Sequence, residues 1–283
     1  VELEDLKALR TEGALTPGHP EFGHTPGVEL TTGPLGTGFA SAVGFAMAER
    51  FTHGLLDPDT PHGQSIFDHC VYVIAGDGCL QEGVSAEASS LAGTQKLGNL
   101  IVLWDDNRIS IEGDTDIAFS EDVLKRYESY GWHVQRVNWL SEDGSYVEDV
   151  QALDEALDAA RDNTDQPSII ALRTVIGWPT PEKSNTGGIH GAKLGEEALR
   201  GLKLALGADP DAHFAVDEEA VAHSRNQFAQ RAQALRNEWN QRFEQWKDAN
   251  PDRAALLERL RQGGLPQGWE KALPEFPADK AIA

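Results

Sequence analysis

Short apolar runs alternate with helix-like segments along most of this chain. The runs are rich in β-branched residues and show no apolar–polar alternation, which is typical of parallel strands buried on both faces. They lie at residues 69–75, 100–104, 132–137 and 168–174. One helical pattern begins at Thr37, and two others cover residues 85–96 and 146–160. This alternation predicts an α/β fold, a parallel sheet flanked by helices.

The character of the sequence changes after about residue 210. Residues 217–262 are densely charged and helical in pattern, and Trp239, Phe243 and Trp246 fall on one apolar stripe. We therefore predict an α/β domain over residues 1–210 and a helical extension over 211–265 that packs on the same domain. A tail or linker to a following domain is expected over 266–283.

The charge balance restricts the partners of the chain. Among its 283 residues, 24 Lys and Arg stand against 46 Asp and Glu, a formal net charge of -22. Such an excess of acid argues against binding nucleic acid, and an anionic ligand would need glycine backbone, helix N-termini, histidine or a metal ion. The two cysteines lack metal-site spacing, and apolar runs of about 18 residues are missing. We expect a cytoplasmic protein with no membrane partner.

Two acidic clusters follow neighbouring predicted strands. Residues 76–78 read Gly-Asp-Gly and residues 105–107 read Asp-Asp-Asn. The carboxyl ends of parallel strands share one edge of a sheet, where ligands bind, and a βαβ unit spans about this separation. Asp77 and Asn107 offer hard oxygen donors, which suit Mg²⁺, with Ca²⁺ as the alternative cation, bridged to a diphosphate. Two unrelated tight turns are the competing interpretation.

The residues around these clusters resemble a known family. Gly-Asp-Gly followed by Asn107 is the thiamin-diphosphate-enzyme motif. "GDGCLQEGVSAEASSLAGTQKLGNLI", "DDNRISIEG", "LTPGHPEFGHTPGVELTTGPLGTGFASAVGFAMAER" and "IHGAKLG" are similar to transketolase and occur in that family's order over residues 1–206. The resemblance implies a thiamin-diphosphate-binding fold. It also implies reversible transfer of a two-carbon ketol unit from a ketose phosphate to an aldose phosphate, in the pentose phosphate pathway.

The resemblance also implies roles for individual residues. Magnesium ligands would come from Asp77, from Asn107 and from the backbone carbonyl of Ile109. Thiamin diphosphate would contact further residues, some of them shared with the metal: Gly33, Pro34, Leu35, Gly78, Asn107, Ile109 and His190.

The implied catalytic residues are two histidines. His190 would contact the diphosphate and the reacting sugar, and His19 would face the substrate. Glu82 and Glu87 match glutamates at the family's subunit contact, and exposed carboxylates near a helix start are the alternative for both.

The group that activates the cofactor has no match in this sequence. In transketolases it is a glutamate from the pyrimidine-binding domain of the partner subunit, so we expect a homodimer, sugar-phosphate substrates and an inactive isolated chain. We also expect the chain to be a piece of a longer enzyme. The alternatives are a dihydroxyacetone synthase-like transferase and a non-catalytic paralogue or scaffold.

Overall fold

The computed structural model describes residues 1–111 and 113–276. Within that part of the chain the strands are β1 (Val71–Gly76), β2 (Leu100–Asp106), β3 (Ile109–Ser110), β4 (Gly113–Asp114), β5 (His133–Asn138) and β6 (Ser168–Arg173). The helices are α1 (Leu3–Lys7), α2 (Thr37–Leu56), α3 (Asp77–Gln81), α4 (Gly83–Thr94), α5 (Val123–Ser129), α6 (Val150–Asp162), α7 (Glu196–Ala205), α8 (Glu218–Ala249) and α9 (Pro251–Arg261).

A parallel four-stranded sheet forms the centre of the α/β region. Its strand order is β1-β2-β6-β5, and every neighbouring pair is parallel. The predicted fold class is therefore confirmed. The first strand begins at Val71, two residues later than predicted, where the Val71 amide donates to the Asn99 carbonyl at 2.7 Å. Strands β3 and β4 form a small separate antiparallel hairpin just after β2.

Aspartates set the start of several helices. Asp122 accepts a hydrogen bond from the Lys125 amide before α5, and Asp149 accepts one from the Ala152 amide before α6. Each carboxylate satisfies an amide that has no partner within its own helix, and its charge is favourable at the positive end of the helix dipole. The predicted helix over residues 146–160 consequently begins later, at Val150.

Two apolar clusters hold the sheet and its helices. The larger one joins α2 and α4 to the strands through completely buried small residues such as Ala46 and Ala92. The smaller one joins α6 to Ile101 and Ile170 on the strands. Small side chains let helices approach a sheet closely, which explains why the alanine-rich segments of the sequence become its flanking layers.

The chain divides into two compact units. One contains Val1–Phe51 and His69–Val216, and the other contains Thr52–Asp68 and the part of the chain that starts at Asp217. The domain limits predicted at residues 210 and 265 stay predictions. The predicted tail is described only as far as Phe276, and residues 277–283 lie outside the described residues.

Within the second unit, the predicted aromatic stripe lies on α8. The rings of Trp239 and Phe243 stack with centroids 4.8 Å apart, and Phe67 meets Trp246 edge-on at 4.9 Å. The Trp239 indole N–H also donates to the Ile66 carbonyl at 3.0 Å. Among the described residues, every helix is too short or too polar to cross a bilayer, the long α8 included.

Candidate functional site

The two acidic clusters lie side by side at the carboxyl edge of the sheet. Strand β1 ends at Gly76, whose partner in the β1–β2 register is Asp105. Helix α3 starts at Asp77 without an intervening loop, although the sequence pattern predicts a helix only from residue 85. The backbone turns extended at Glu82, and α4 then begins at Gly83. Asp77 is therefore fixed between a strand end and a helix start.

Asp77 is a buried carboxylate, only 8% exposed. One oxygen accepts the Trp104 indole N–H at 3.2 Å, and the other accepts the Arg108 backbone N–H at 3.0 Å. Burial, together with the charges of Asp106 and Asp105, raises the pKa of Asp77 to about 6, against the effect of these two hydrogen bonds. The negative charge is thus incompletely compensated, which is the setting in which a bound cation is favourable.

Asn107 provides the second predicted donor beside Asp77. It is buried, and its amide nitrogen donates to the Asp105 carboxylate at 3.0 Å. Its amide oxygen accepts the Ile109 backbone N–H at 2.9 Å, which holds the side chain against its own turn. Arg108, between Asn107 and Ile109, adopts φ +61°, an uncommon conformation for a residue other than glycine. This bend directs the Arg108 amide to Asp77.

Sequence reasoning missed the residues that support the two donors. Asp106 is only 2% exposed, and its carboxylate lies 3.1 Å from Arg136 Nη1 and 3.6 Å from Arg108 Nε. A polar cavity of 280 Å³ adjoins this group and is lined by Asp77 and Trp104 among others. The doubled aspartate after a buried strand was the available signal, because two adjacent carboxylates at a strand end need counter-charges.

The loop that contains Gly33, Pro34 and Leu35 lies against the start of α3. Gly33 has φ +143°, and a Cβ there would lie 2.9 Å from His19 Cγ. A Cβ on Gly78 would lie 3.2 Å from Leu35 Cδ1. The structure therefore brings His19, Gly33, Leu35 and Gly78 together, and the two glycines are what allow this close approach.

His190 is exposed and directly follows a 3-10 turn over Gly187–Ile189. That turn contacts β4, and β3, the other strand of the hairpin, contacts α3. The hairpin therefore touches both the turn before His190 and the helix that starts at Asp77. Within the described residues, the hydrogen bonds of Asp77 and Asn107 go to other groups than His190.

The two predicted subunit-contact carboxylates are both exposed. Glu82 lies at the break between α3 and α4, and Glu87 lies on α4. Their role at a subunit contact stays a prediction.

The donor set fits a hard cation. Asp77 supplies a buried carboxylate and Asn107 an amide oxygen, and Ile109 follows two residues later with its main-chain carbonyl. Mg²⁺ is commonly held by one or two carboxylates and completed by phosphate and water oxygens. The residues of this edge are therefore suited to a cation that a diphosphate also binds.

Comparisons with known proteins agree with one another. A sequence model described as "Transketolase, thiamine diphosphate binding domain" matches residues 1–266. A transketolase of Mycobacterium leprae is 53% identical over all of this chain and 40% of its own length, and one of Geobacillus stearothermophilus is 44% identical over all of this chain and 41% of its own length.

Solved structures give the same picture. A Pichia stipitis transketolase in complex with sedoheptulose 7-phosphate is 45% identical, with a TM-score of 0.87 over 99% of this chain and 40% of that chain. A transketolase of Leishmania mexicana is 40% identical, with a TM-score of 0.86 over 98% of this chain and 40% of that chain. The chain thus spans about two fifths of the length of these relatives.

Proposed function

Since the chain belongs to the transketolase family, in the part described as its thiamine diphosphate binding domain, we propose that it supplies the diphosphate and metal half of a transketolase active site. The reaction is the reversible transfer of a two-carbon ketol unit from a ketose phosphate to an aldose phosphate. The relative solved with sedoheptulose 7-phosphate supports sugar phosphates as the substrates. The pentose phosphate pathway is the expected setting.

One observation carries the proposal furthest, the juxtaposition of Asp77 and Asn107 at adjacent strand ends. The Asp77 carboxylate, the Asn107 amide oxygen and the Ile109 carbonyl would hold Mg²⁺, or Ca²⁺ in its place. Asp106 has Arg136 as a counter-charge, whereas burial and neighbouring carboxylates raise the pKa of Asp77. A divalent cation at Asp77 would supply the missing positive charge.

The loop with Gly33, Pro34 and Leu35 would form the wall against thiamin diphosphate, with Gly78 leaving room for the phosphates. Leu35 is 51% exposed, which leaves an apolar side chain available to a ligand. When bound, thiamin diphosphate supplies the nucleophilic and electron-accepting centre that allows a carbon–carbon bond beside a carbonyl to break.

His190 and His19 would act on the sugar. Exposed imidazoles can exchange protons with the hydroxyl groups of a substrate at neutral pH. The ring of His19 is held against Gly33, so it would face the same ligand as the loop. We assign His190 to proton movement at the reacting hydroxyls and to the diphosphate, and His19 to binding the donor sugar.

The rest of the site would come from a second subunit. A homodimer would bring the partner's pyrimidine-binding domain and its activating glutamate to this half, with Glu82 and Glu87 at the contact. The isolated chain is consequently expected to be inactive. A cytoplasmic location stays a prediction that rests on the cysteine content of the sequence.

Three measurements test the proposal. The 283-residue chain is assayed with xylulose 5-phosphate, ribose 5-phosphate, thiamin diphosphate and Mg²⁺, and no turnover is expected. Substantial turnover would show that this chain needs no partner domain. In the complete enzyme, a panel of acceptor and donor sugars separates transketolase from the dihydroxyacetone synthase-like alternative.

Cofactor binding to the complete enzyme is the third measurement. Calorimetry should detect Mg²⁺-dependent thiamin diphosphate binding that is lost in Asp77→Ala, because the charged ligand is gone. Asp154→Ala removes an exposed carboxylate on α6 and serves as the matched control, with binding unchanged. Equal binding by both variants would refute the metal role of Asp77.

A further inference from the structure

A second group of metal-ligating side chains lies in the unit that contains residues 52–68. His53 belongs to the last turn of α2, and His62 and Asp68 lie on the segment that follows it. One ligand atom from each residue lies within 4.8 Å of the other two. We refer to these three residues as the His53 cluster.

His53 is oriented as a metal ligand usually is. It is only 4% exposed, and its Nε2 lies 3.0 Å from the Thr60 carbonyl oxygen. A carbonyl oxygen and a carboxylate oxygen both accept, so both ring nitrogens donate: Nε2 to Thr60 and Nδ1 to Asp68 Oδ1, where a metal would replace the Nδ1 proton. Metal-bound histidines generally donate their other ring N–H to a carbonyl or carboxylate in this way, which fixes the ring and its tautomer.

The other two members complete a set of mixed donors. Asp68 Oδ2 accepts the backbone N–H groups of Gly63 at 2.6 Å and Ser65 at 3.0 Å, so Oδ1 is the oxygen that faces His53. The exposed His62 ring lies over the His53 ring, with centroids 4.3 Å apart. A hydrogen-bonded His–Asp pair alone has no need of a second imidazole at this distance.

The surrounding groups favour a positive charge. Two carboxylates lie near His53: Asp68 is hydrogen bonded to Nδ1, and Asp57 follows four residues later, where its amide donates to the His53 carbonyl at 2.8 Å. Asp57 is buried and accepts hydrogen bonds from Ser65 Oγ at 2.6 Å and Thr60 Oγ1 at 2.9 Å. The negative charge of Asp57 would stabilise a bound cation, and its two hydrogen bonds fix the loop that carries His62.

We propose that His53 Nδ1, His62 and Asp68 Oδ1 form a binding site for a divalent transition metal of the zinc class. Two imidazoles and one carboxylate are the protein ligands of open zinc sites, with water in the fourth position. They differ in kind from the oxygen donors at Asp77, so the two sites would select different ions.

Modest movement would complete the geometry. Zinc–ligand bonds of about 2.0–2.2 Å place tetrahedral ligand atoms about 3.4 Å apart. The Nδ1–Oδ1 pair would separate as the metal replaces the shared proton, and His62 would move inward. Because His62 is exposed, its side chain has room to do so. The bound metal would tie the end of α2 to the segment that follows it.

The test uses Co²⁺ and Zn²⁺ on the metal-stripped 283-residue chain, in excess Mg²⁺ to occupy the site at Asp77. We expect one Co²⁺ per chain with the visible absorption of a four-coordinate nitrogen-bound ion, and a rise in Tm with Zn²⁺. His62→Ala should weaken the binding by at least about tenfold, since it removes one of three protein ligands. His223→Ala, an exposed histidine on α8, is the control and should bind as the parent does.

Three results would overturn the proposal. The first is that the parent chain gives no such Co²⁺ spectrum, and the second is that His62→Ala binds with unchanged affinity. The third is loss of the Co²⁺ signal in Asp77→Asn but not in His62→Ala, which would place the ion at the other site. Because His62 is exposed, circular dichroism is expected to show that His62→Ala remains folded.

Discussion

Neutralising Asp77 is expected to stabilise the metal-free chain at neutral pH. In the folded chain the pKa of Asp77 is raised from 3.8 to about 6, chiefly by burial and then by the charge of Asp106. A raised carboxyl pKa means that the folded state holds the proton more tightly than the unfolded state. The free energy of unfolding therefore falls as pH rises from about 4 to about 6, and the penalty is fully present above that range.

The size of the effect follows from that shift. About two pKa units at about 1.4 kcal/mol each give a ceiling of about 3 kcal/mol in the parent chain. Asp77→Asn removes this penalty. However, the NH₂ group of the new amide would face either the Trp104 N–H or the Arg108 N–H, and two donors cannot form a hydrogen bond. A lost or opposed hydrogen bond costs about 1 kcal/mol, so the net gain should be about 1–2 kcal/mol at pH 8.

Urea unfolding in EDTA at pH 8 and pH 4 measures this directly. Asp77→Asn should be more stable than the parent at pH 8, and equal or slightly less stable at pH 4, where the parent carboxyl is already protonated. Asp106→Asn is the matched control: Asp106 is paired with Arg136, so its neutralisation should destabilise the chain at pH 8. If Asp77→Asn lowered stability at pH 8 as much as at pH 4, the interpretation of Asp77 as an uncompensated charge would be wrong.

Three further changes test other parts of the structure. Gly93→Ala should cost about 3 kcal/mol or more in urea unfolding, because its Cβ would lie 1.8 Å from the Tyr130 carbonyl oxygen, whereas Gly83→Ala meets nothing within 4 Å and should be close to neutral. Tyr127→Phe should cost about 1 kcal/mol at pH 7 by removing the bond between Tyr127 and Ser89. Burial raises the pKa of Tyr127 to about 12, so the free energy of unfolding of the parent should decline as pH rises from 10 to 12. The difference in stability between the parent and Tyr127→Phe should therefore be smaller at pH 11 than at pH 7. The same difference at both pH values would contradict this. In the complete enzyme, calorimetry should show that Gly33→Ala binds thiamin diphosphate more weakly, because Gly33 has φ +143° and a Cβ there would contact His19. Gly44→Ala on α2 is the control and should bind as the parent does. Equal affinities of the two variants would speak against the loop as a wall of the cofactor site.

The parts of the fold that depend on local pattern could be predicted from the sequence. Apolar runs without alternation indicate buried parallel strands, and the sheet has strands at nearly the predicted residues. Burial on both faces is confirmed for β2 and β6, whereas it is wrong for β1, where Tyr72 and Ile74 are exposed. Asp77 shows where this reasoning ends. A Gly-Asp-Gly sequence is typical of a turn, but here β1 ends at Gly76 and α3 begins directly at Asp77. The packing of α3 against β1 and β2, which the sequence pattern does not contain, favours the helix over the turn.

The support of the site depended on contacts that sequence patterns do not contain. Arg136 lies on β5, and β6 separates β5 from β2, yet the long Arg136 side chain reaches Asp106. Strand order is not encoded in the apolar pattern of any single strand, so this ion pair could not be inferred. The same holds for residues 52–68, which join α8 across about 170 residues through the bond from Trp239 to Ile66.

The position of β2 in the sheet has a consequence for the timescale of motion at the site. Strand β2 is hydrogen bonded on both edges, to β1 and to β6, and it carries Trp104 and ends at Asp106, next to Asn107. Its amides should exchange with solvent only through global unfolding, whereas those of Gly33 and Leu35 should exchange through local opening. The metal-binding half would then be rigid before any ligand arrives, and slow steps in cofactor binding would belong to the loop of residues 33–35.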